Sequence, residues 1–270
     1  MTAAPFKLVR PQPGVAPTPL IAHVPHASTV IPPREREQII LDDASLKREL
    51  VRLTDWHADQ LFSWVLEFGG PMFVSTLSRL VVDPERFASD DDEPMAAVGQ
   101  GVVYTKTTDG DPLARISPGE RARRIREYYE PYHEALTAAV ASTRERFGTA
   151  IILDCHSFAS VPLPSEPDQS PDRPDICIGT DPFHTPAALP EALESALRAE
   201  GLKVARDRPF AGTLVPLELL GVESGVQSVM IEVRRGLYCD EATGERSTAF
   251  DVTRDAVERA VRAGVGSVLP

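Results

Sequence analysis

The stretch Ala150-Ile151-Ile152-Leu153-Asp154-Cys155-His156-Ser157 decides the fold class. Four apolar residues follow Gly148 and Thr149 and stop abruptly at an aspartate. A short, unbroken apolar run of this kind reads as a strand buried on both faces. We expect that strand over Ala150–Asp154, with Cys155, His156 and Ser157 at its carboxyl end. An acid closing an apolar strand costs free energy unless it is paired or lies near a cation. In open α/β sheets, ligands bind outside the carboxyl ends of the strands. The segment therefore marks both a central strand and the edge of a site.

Working outward, Leu20–Val24, Met72–Leu77, Leu80–Val82, Asp175–Ile178, Leu202–Ala205 and Val226–Val233 are further strand candidates. Between them lie helical patterns. Asp42, Asp43 and Ser45 offer helix-start chemistry ahead of Leu46, Leu50 and Leu53, which share one helical face. The next apolar set, Ala58, Leu61, Phe62 and Val65, is rotated from the first, so a break is expected near Thr54, with Thr54 or Asp55 capping a second helix. Pro118 opens a long helical stretch to Phe147, interrupted or kinked at Pro131 and ended by Gly148. Ala187–Ala199 and Thr248–Ala263 complete the helices. Strands alternating with helices imply an α/β sandwich with a largely parallel or mixed sheet. The proline-rich residues 1–19 read as an extended arm, and residues 20–270 as one domain without internal repeats. Val161–Pro174 holds five prolines in fourteen residues, the composition of a pocket wall or lid rather than a central element.

Composition excludes several classes. The chain has 270 residues, 42% hydrophobic and 25% charged, as an ordinary globular protein does. A net charge of −12 opposes a nucleic-acid surface, although a few arginines can still set the field of a pocket for a small anionic substrate. No apolar run is long enough for a membrane helix, and the first nineteen residues have five prolines and no apolar core of a secretory signal. Three cysteines without a CxxC pair fit neither a disulfide scaffold nor a zinc ribbon. The expected compartment is the reducing cytoplasm.

Three of the six histidines, His23, His26 and His156, fall at or just after strand ends, where an imidazole reaches a site. His133 and His184 read as structural, and His57 is placed to support its neighbour Asp55. Asp55 sits at the helix break, either as a cap or as a functional carboxylate. Glu232 lies inside the apolar run Val229–Val233, where it either pairs with Arg234 or Arg235 or serves chemistry. Cys155 and His156 point to opposite faces of a strand, so they make no nucleophile–base pair. No GxSxG, P-loop or GxGxxG motif is present.

Several blocks together resemble the N-formylglutamate amidohydrolase family. They are "HVPHAST" (23–29), "LTDWHADQLF" (53–62), "SRLVVDPER" (78–86), "LDCHSFAS" (153–160), "RPDICIG" (173–179), "DRPFAGT" (207–213) and "IEVRRGLYCDE" (231–241). They occur in the family's order over roughly residues 20 to 245. The family is itself similar to the zinc carboxypeptidases and aspartoacylases, which implies a zinc-carboxypeptidase-like fold with a mixed, mostly parallel central sheet. The same resemblance implies a zinc ion, His156 as a ligand and Glu232 as the general base. The His-x-x-Glu ligand motif of the carboxypeptidases is missing, since Thr29 stands three residues after His26. The expected ligand set is therefore His26, Asp55 and His156, with Asp154 and His57 supporting it. Arg79, Arg86 and Arg235 are the candidate partners of substrate carboxylates, with a structural ion pair as the alternative for Arg79 and Arg86. The chain departs from the family's usual Asn at Asp207 and Arg234, and from the aspartoacylase Asp-Leu-Asn-Arg segment at Asp83-Pro84-Glu85-Arg86. The implied activity is zinc-dependent hydrolysis of the N-acyl amide of an acidic amino acid such as N-formyl-L-glutamate. A metallopeptidase, a cell-wall amide hydrolase and a silent amino-acid-binding protein are the alternatives.

Overall fold

The computed structural model describes residues 4–267. Seven strands form one sheet: β1 (Phe6–Val9), β2 (Leu20–Val24), β3 (Met72–Ser75), β4 (Ala150–Phe158), β5 (Ile176–Gly179), β6 (Val204–Arg206) and β7 (Val226–Arg234). Their order is β1-β3-β2-β4-β7-β5-β6. The pairs β2–β3, β2–β4, β4–β7 and β5–β6 are parallel, whereas β1–β3 and β5–β7 are antiparallel. The mixed, mostly parallel α/β architecture expected from the sequence is thus the one observed. Residues 6–9 of the expected arm add an antiparallel edge strand to β3.

The helices are α1 (Pro33–Arg36), α2 (Asp43–Leu53), α3 (Ala58–Leu61), α4 (Pro118–Arg124), α5 (Glu130–Phe147), α6 (Ala188–Ala199) and α7 (Phe250–Gly266). On one face of the sheet, α3, α6 and α7 cover Ile151, Leu153, Cys155, Val229, Ile231 and Val233. On the other, α5 covers Ile21, Ala150, Ile152 and Val226 through Tyr132, Leu136 and Val140. Strand periodicity then assigns the chemistry. With Ile151, Leu153 and Cys155 on the first face, Asp154 and His156 lie on the second, beyond the cover of α5. The same alternation puts Met230 and Glu232 on that face of β7. Cys155 packs in the core, so the nucleophile–base pair already excluded is absent.

Two local expectations are corrected. Leu80–Val82 is buried but forms turns rather than a strand. The interruption expected in the helix from Pro118 is present, as a π-type turn over Ile125–Tyr129 just before Pro131, which has no N–H for a regular helical bond. The break after α2 is present, but neither Thr54 nor Asp55 caps α3. His57 takes the cap position with φ 60° and no side-chain bond to the helix. At the other end, α2 is capped as expected, the Asp42 side chain accepting from Ser45 N. No helix among the described residues is long and apolar enough to cross a membrane.

Candidate active site

The parallel strands β2, β4 and β7 bring their carboxyl ends to one edge of the sheet. His26 follows β2, Asp154 and His156 lie in the second half of β4, and Glu232 sits near the end of β7. Register aligns them: His23 is opposite Asp154, and His156 is opposite Glu232. The break between α2 and α3 delivers Asp55, whose backbone N–H donates to the His26 carbonyl at 3.0 Å. All of these side chains are buried.

Asp55 Oδ2 lies 3.1 Å from His156 Nδ1 and 3.6 Å from His26 Nδ1. The other nitrogen of each ring is committed outward. His26 Nε2 donates to Asp83 Oδ1 at 2.8 Å. His156 Nε2 faces both Asp154 Oδ1 and Glu85 Oε1 at 3.0 Å. With Nε2 donating to Asp83, His26 Nδ1 keeps its lone pair and faces Asp55 Oδ2, whereas His156 Nδ1 is hydrogen-bonded to the same oxygen. Two acceptors held in this way call for a cation between them, and His26 Nδ1 is a buried atom with no hydrogen-bond partner. Four carboxylates, Asp55, Asp83, Glu85 and Asp154, surround the two rings. Burial disfavours a charged His156, yet Glu85 and Asp154 more than offset it and raise the ring's affinity for a proton. The same field attracts a metal ion. Burial also opposes the charge on Asp55, but its hydrogen bond with His156 and the nearby His26 ring hold it well below the usual carboxylate range.

Two sets of potential ligand atoms lie within 4.8 Å of one another, His26–Glu85–His156 and His23–Glu85–Asp154, so the compact set that holds both expected histidines includes Glu85 rather than the expected Asp55. Glu85 was named in the sequence only as a departure from a related motif, without a role. Asp83 has the same standing, while His23 is expected only as an imidazole placed to reach a site. His23 Nδ1 donates to Asp154 Oδ1 at 2.8 Å, while its Nε2 accepts from Tyr132 Oη at 2.7 Å. Asp154 thus touches His156 directly and is itself held by His23 and by Leu214 N at 2.8 Å. The available signal was the lone imidazole in the apolar run Leu20–Val24.

Glu232 is 7% exposed, and its Oε2 is buried without a hydrogen-bond partner. Burial, opposed by His156 and reinforced by Asp55 and Glu85, pushes its carboxyl up to about 8. Neither pairing suggested for it is made: Arg234 pairs with Asp175, and Arg235 Nη1 donates to the carbonyls of Arg52 at 2.7 Å and Thr54 at 3.0 Å. Arg235 lines the cavity, but the expectation that it serves substrate is corrected to this extent: its Nη1 holds the end of α2 in place. Arg79 is also engaged, its Nε and Nη2 donating to Asp83 Oδ2 at 3.0 and 2.6 Å. Arg86 makes one ion pair, with Asp83 at 3.7 Å from its Nε, lies near Tyr104, Arg79 and Glu93, and lines the cavity. His57 does not support Asp55; its Nε2 donates to the Gly244 carbonyl at 2.9 Å because the left-handed turn directs the ring toward Phe250.

The site opens into a cavity of about 640 Å³. The expected proline-rich wall contributes Leu163, Ser165, Glu166 and Pro167 to it. Two other departures from the family pattern lie outside that lining. Asp207 accepts from Thr180 N and Oγ1, both at 2.8 Å, and Arg234 is the partner of Asp175, so each of these charges is engaged away from the cavity.

Comparison with known proteins identifies the family. Residues 18–239 match the family model described as N-formylglutamate amidohydrolase. The chain belongs to the N-formylglutamate amidohydrolase family. It is 31% identical over 233 residues to an N-formylglutamate deformylase of Pseudomonas aeruginosa, covering 83% of both chains. A Pseudomonas putida N-formylglutamate deformylase is 28% identical over 230 residues, with 83% of this chain and 82% of the relative covered. The crystal structure of an N-formylglutamate amidohydrolase from Ralstonia eutropha JMP134 superposes with a TM-score of 0.85 at 28% identity, covering 98% of each chain. Membership of this family makes the chain a hydrolase of a linear amide C–N bond.

Proposed function

We propose that the chain cleaves the N-acyl amide of an acidic amino acid, with N-formyl-L-glutamate as the reference substrate, and that His26, Asp55 and His156 hold a zinc ion. The convergence of both Nδ1 atoms on Asp55 Oδ2 carries the reading. Two imidazoles and a carboxylate with an open position form a catalytic zinc set. Asp83 and Asp154 orient the rings from outside, as partners of metal-bound histidines do. When bound, such an ion supplies Lewis acidity, polarising a carbonyl and lowering the pKa of water.

The chain's own residues supply the rest. Glu232 has a buried, unpartnered oxygen opposite His156, so it is placed to accept the proton of the attacking water. Its raised affinity for that proton matches the task near neutral pH. Water oxygen bonds to the acyl carbon, the C–N bond breaks, and Glu232 returns the proton to the departing nitrogen. The products are a carboxylate and a free amino acid. The unengaged nitrogens of the Arg86 guanidinium bind the substrate carboxylate bidentately. Arg79 keeps Asp83 ionised, and through it the orientation of His26.

The test is equimolar formate and glutamate release from N-formyl-L-glutamate by the zinc-loaded protein, lost on chelation and restored by zinc. No formate release under these conditions, or faster release of peptide products from glutamyl peptides, contradicts the assignment.

A further inference from the structure

The strand order gives the cavity two unlike ends. Arg79 and Arg86 come from the segment after β3, on one side of the His26 and His156 pair. On the other side, past Glu232, the segment following β6 crosses back over the sheet. Phe210 O accepts from Cys177 Sγ on β5, Thr213 Oγ1 bonds Ser228 Oγ on β7 at 2.7 Å, and Leu214 N reaches Asp154 on β4. The crossing is close: a Cβ on Gly179 would lie 2.2 Å from the Gly212 carbonyl oxygen. Phe158, Phe210, Leu214, Leu217 and Met230 give this end its apolar wall, beside Glu166, whose carboxylate pairs with Arg173. Arg173 lies over the Phe158 and Phe210 rings at 5.7 and 5.8 Å, fixing them, while Leu217 remains 45% exposed.

We propose that this apolar end is an acyl-chain subsite, so that the protein hydrolyses N-acylated acidic amino acids whose acyl group is an aliphatic chain longer than formyl. The inference rests on the amidohydrolase reading and names its substrate class. With the substrate carboxylate at Arg86 and the acyl carbon between Glu232 and the imidazoles, the remaining substituent on that carbon faces the Phe210–Leu217 wall. A formyl group has only hydrogen there. The size agrees: a cavity of about 640 Å³ lies in the range of roughly 300–1,000 Å³ that encloses drug-sized ligands, far larger than formylglutamate. The wall is preformed, because hydrogen bonds to β4, β5 and β7 hold its backbone.

The experiment compares N-formyl-, N-acetyl-, N-butyryl- and N-hexanoyl-L-glutamate on the zinc-loaded protein. Full burial is worth about fourfold per methylene. The subsite therefore predicts a kcat/KM for the hexanoyl compound at least tenfold above that of the acetyl compound. Leu217→Asp, at an exposed position that tolerates charge, is expected to lower the hexanoyl-to-formyl ratio at least tenfold. Calorimetric binding of the same series to zinc-loaded Glu232→Gln provides a second reading, with affinity rising along the chain and a negative heat-capacity change. Cleavage of formylglutamate with rates and affinities that fall or stay flat as the chain lengthens overturns the subsite and leaves the amidohydrolase reading intact. Absence of any turnover refutes that reading, and the binding series then decides the subsite alone. Faster cleavage of L-leucyl-L-glutamate than of the hexanoyl compound also overturns it, in favour of a peptide substrate.

Discussion

His156 and Glu232 are register partners on adjacent parallel strands, the one committed on both ring nitrogens to carboxylates, the other with an oxygen left buried and unpaired. Two neighbouring strands thus place a ring suited to hold a cation beside a group suited to hold a proton. Strand pairing, rather than a flexible loop, fixes their separation.

The ligand assignment separates Asp55 from Glu85, both of which touch His156. If Asp55 is the ligand, Asp55→Ala loses zinc affinity by well over tenfold, whereas Glu85→Gln retains zinc near one equivalent. Metal content after dialysis against a weak chelator distinguishes the two. Zinc retained by Asp55→Ala and lost by Glu85→Gln would transfer the third position to Glu85.

Arg86 and Arg79 are expected to fail differently. Arg86→Ala removes a charge-assisted contact worth about 1.5–3 kcal/mol, so KM for an acidic substrate should rise at least tenfold with little change in thermal stability. Arg79→Ala leaves buried Asp83 short of its main counter-charge, and breaking such a pair costs about 3–5 kcal/mol of stability. Equal loss of stability in both variants would show that Arg86 is structural as well.

His133 gives a pH dependence. Burial lowers its pKa to about 4, although its bond to the Pro84 carbonyl opposes the shift. Between its unfolded value of about 6.5 and 4, the unfolded chain takes up a proton that the folded state refuses, so stability falls as pH falls through this window. The loss reaches about 3 kcal/mol at the lower end. Chemical denaturation of His133→Gln beside the parent should show the parent losing that much more between pH 6.5 and 4. Parallel curves would mean that His133 titrates alike in both states.

Much of this was legible in the chain because burial and strand periodicity leave clear marks. The run from Ala150 to Leu153 announces a central strand, and the odd polar residues at its end announce the site. Asp55 stood out because the apolar stripe shifts phase on either side of it. What escaped was long-range pairing. Nothing near Asp83 or Glu85 in sequence says that one will hold His26 and the other reach His156, since the turn that carries them is built from the buried but irregular Leu80–Val82. His57 was misread for the opposite reason: adjacency to Asp55 implied support, whereas a left-handed backbone turned the ring away. The bonds of Arg235 Nη1 were equally hidden, because the carbonyls ending α2 belong to a helix far away in sequence.

Turnover by Glu232→Gln in the zinc-loaded protein tests the central claim most directly. The substitution keeps the shape of the side chain and removes its capacity to take a proton. We expect formate release from N-formyl-L-glutamate to fall by about 10²–10⁴, with zinc content and unfolding temperature close to those of the parent. A stable, zinc-loaded Glu232→Gln protein with near-normal turnover would contradict the account.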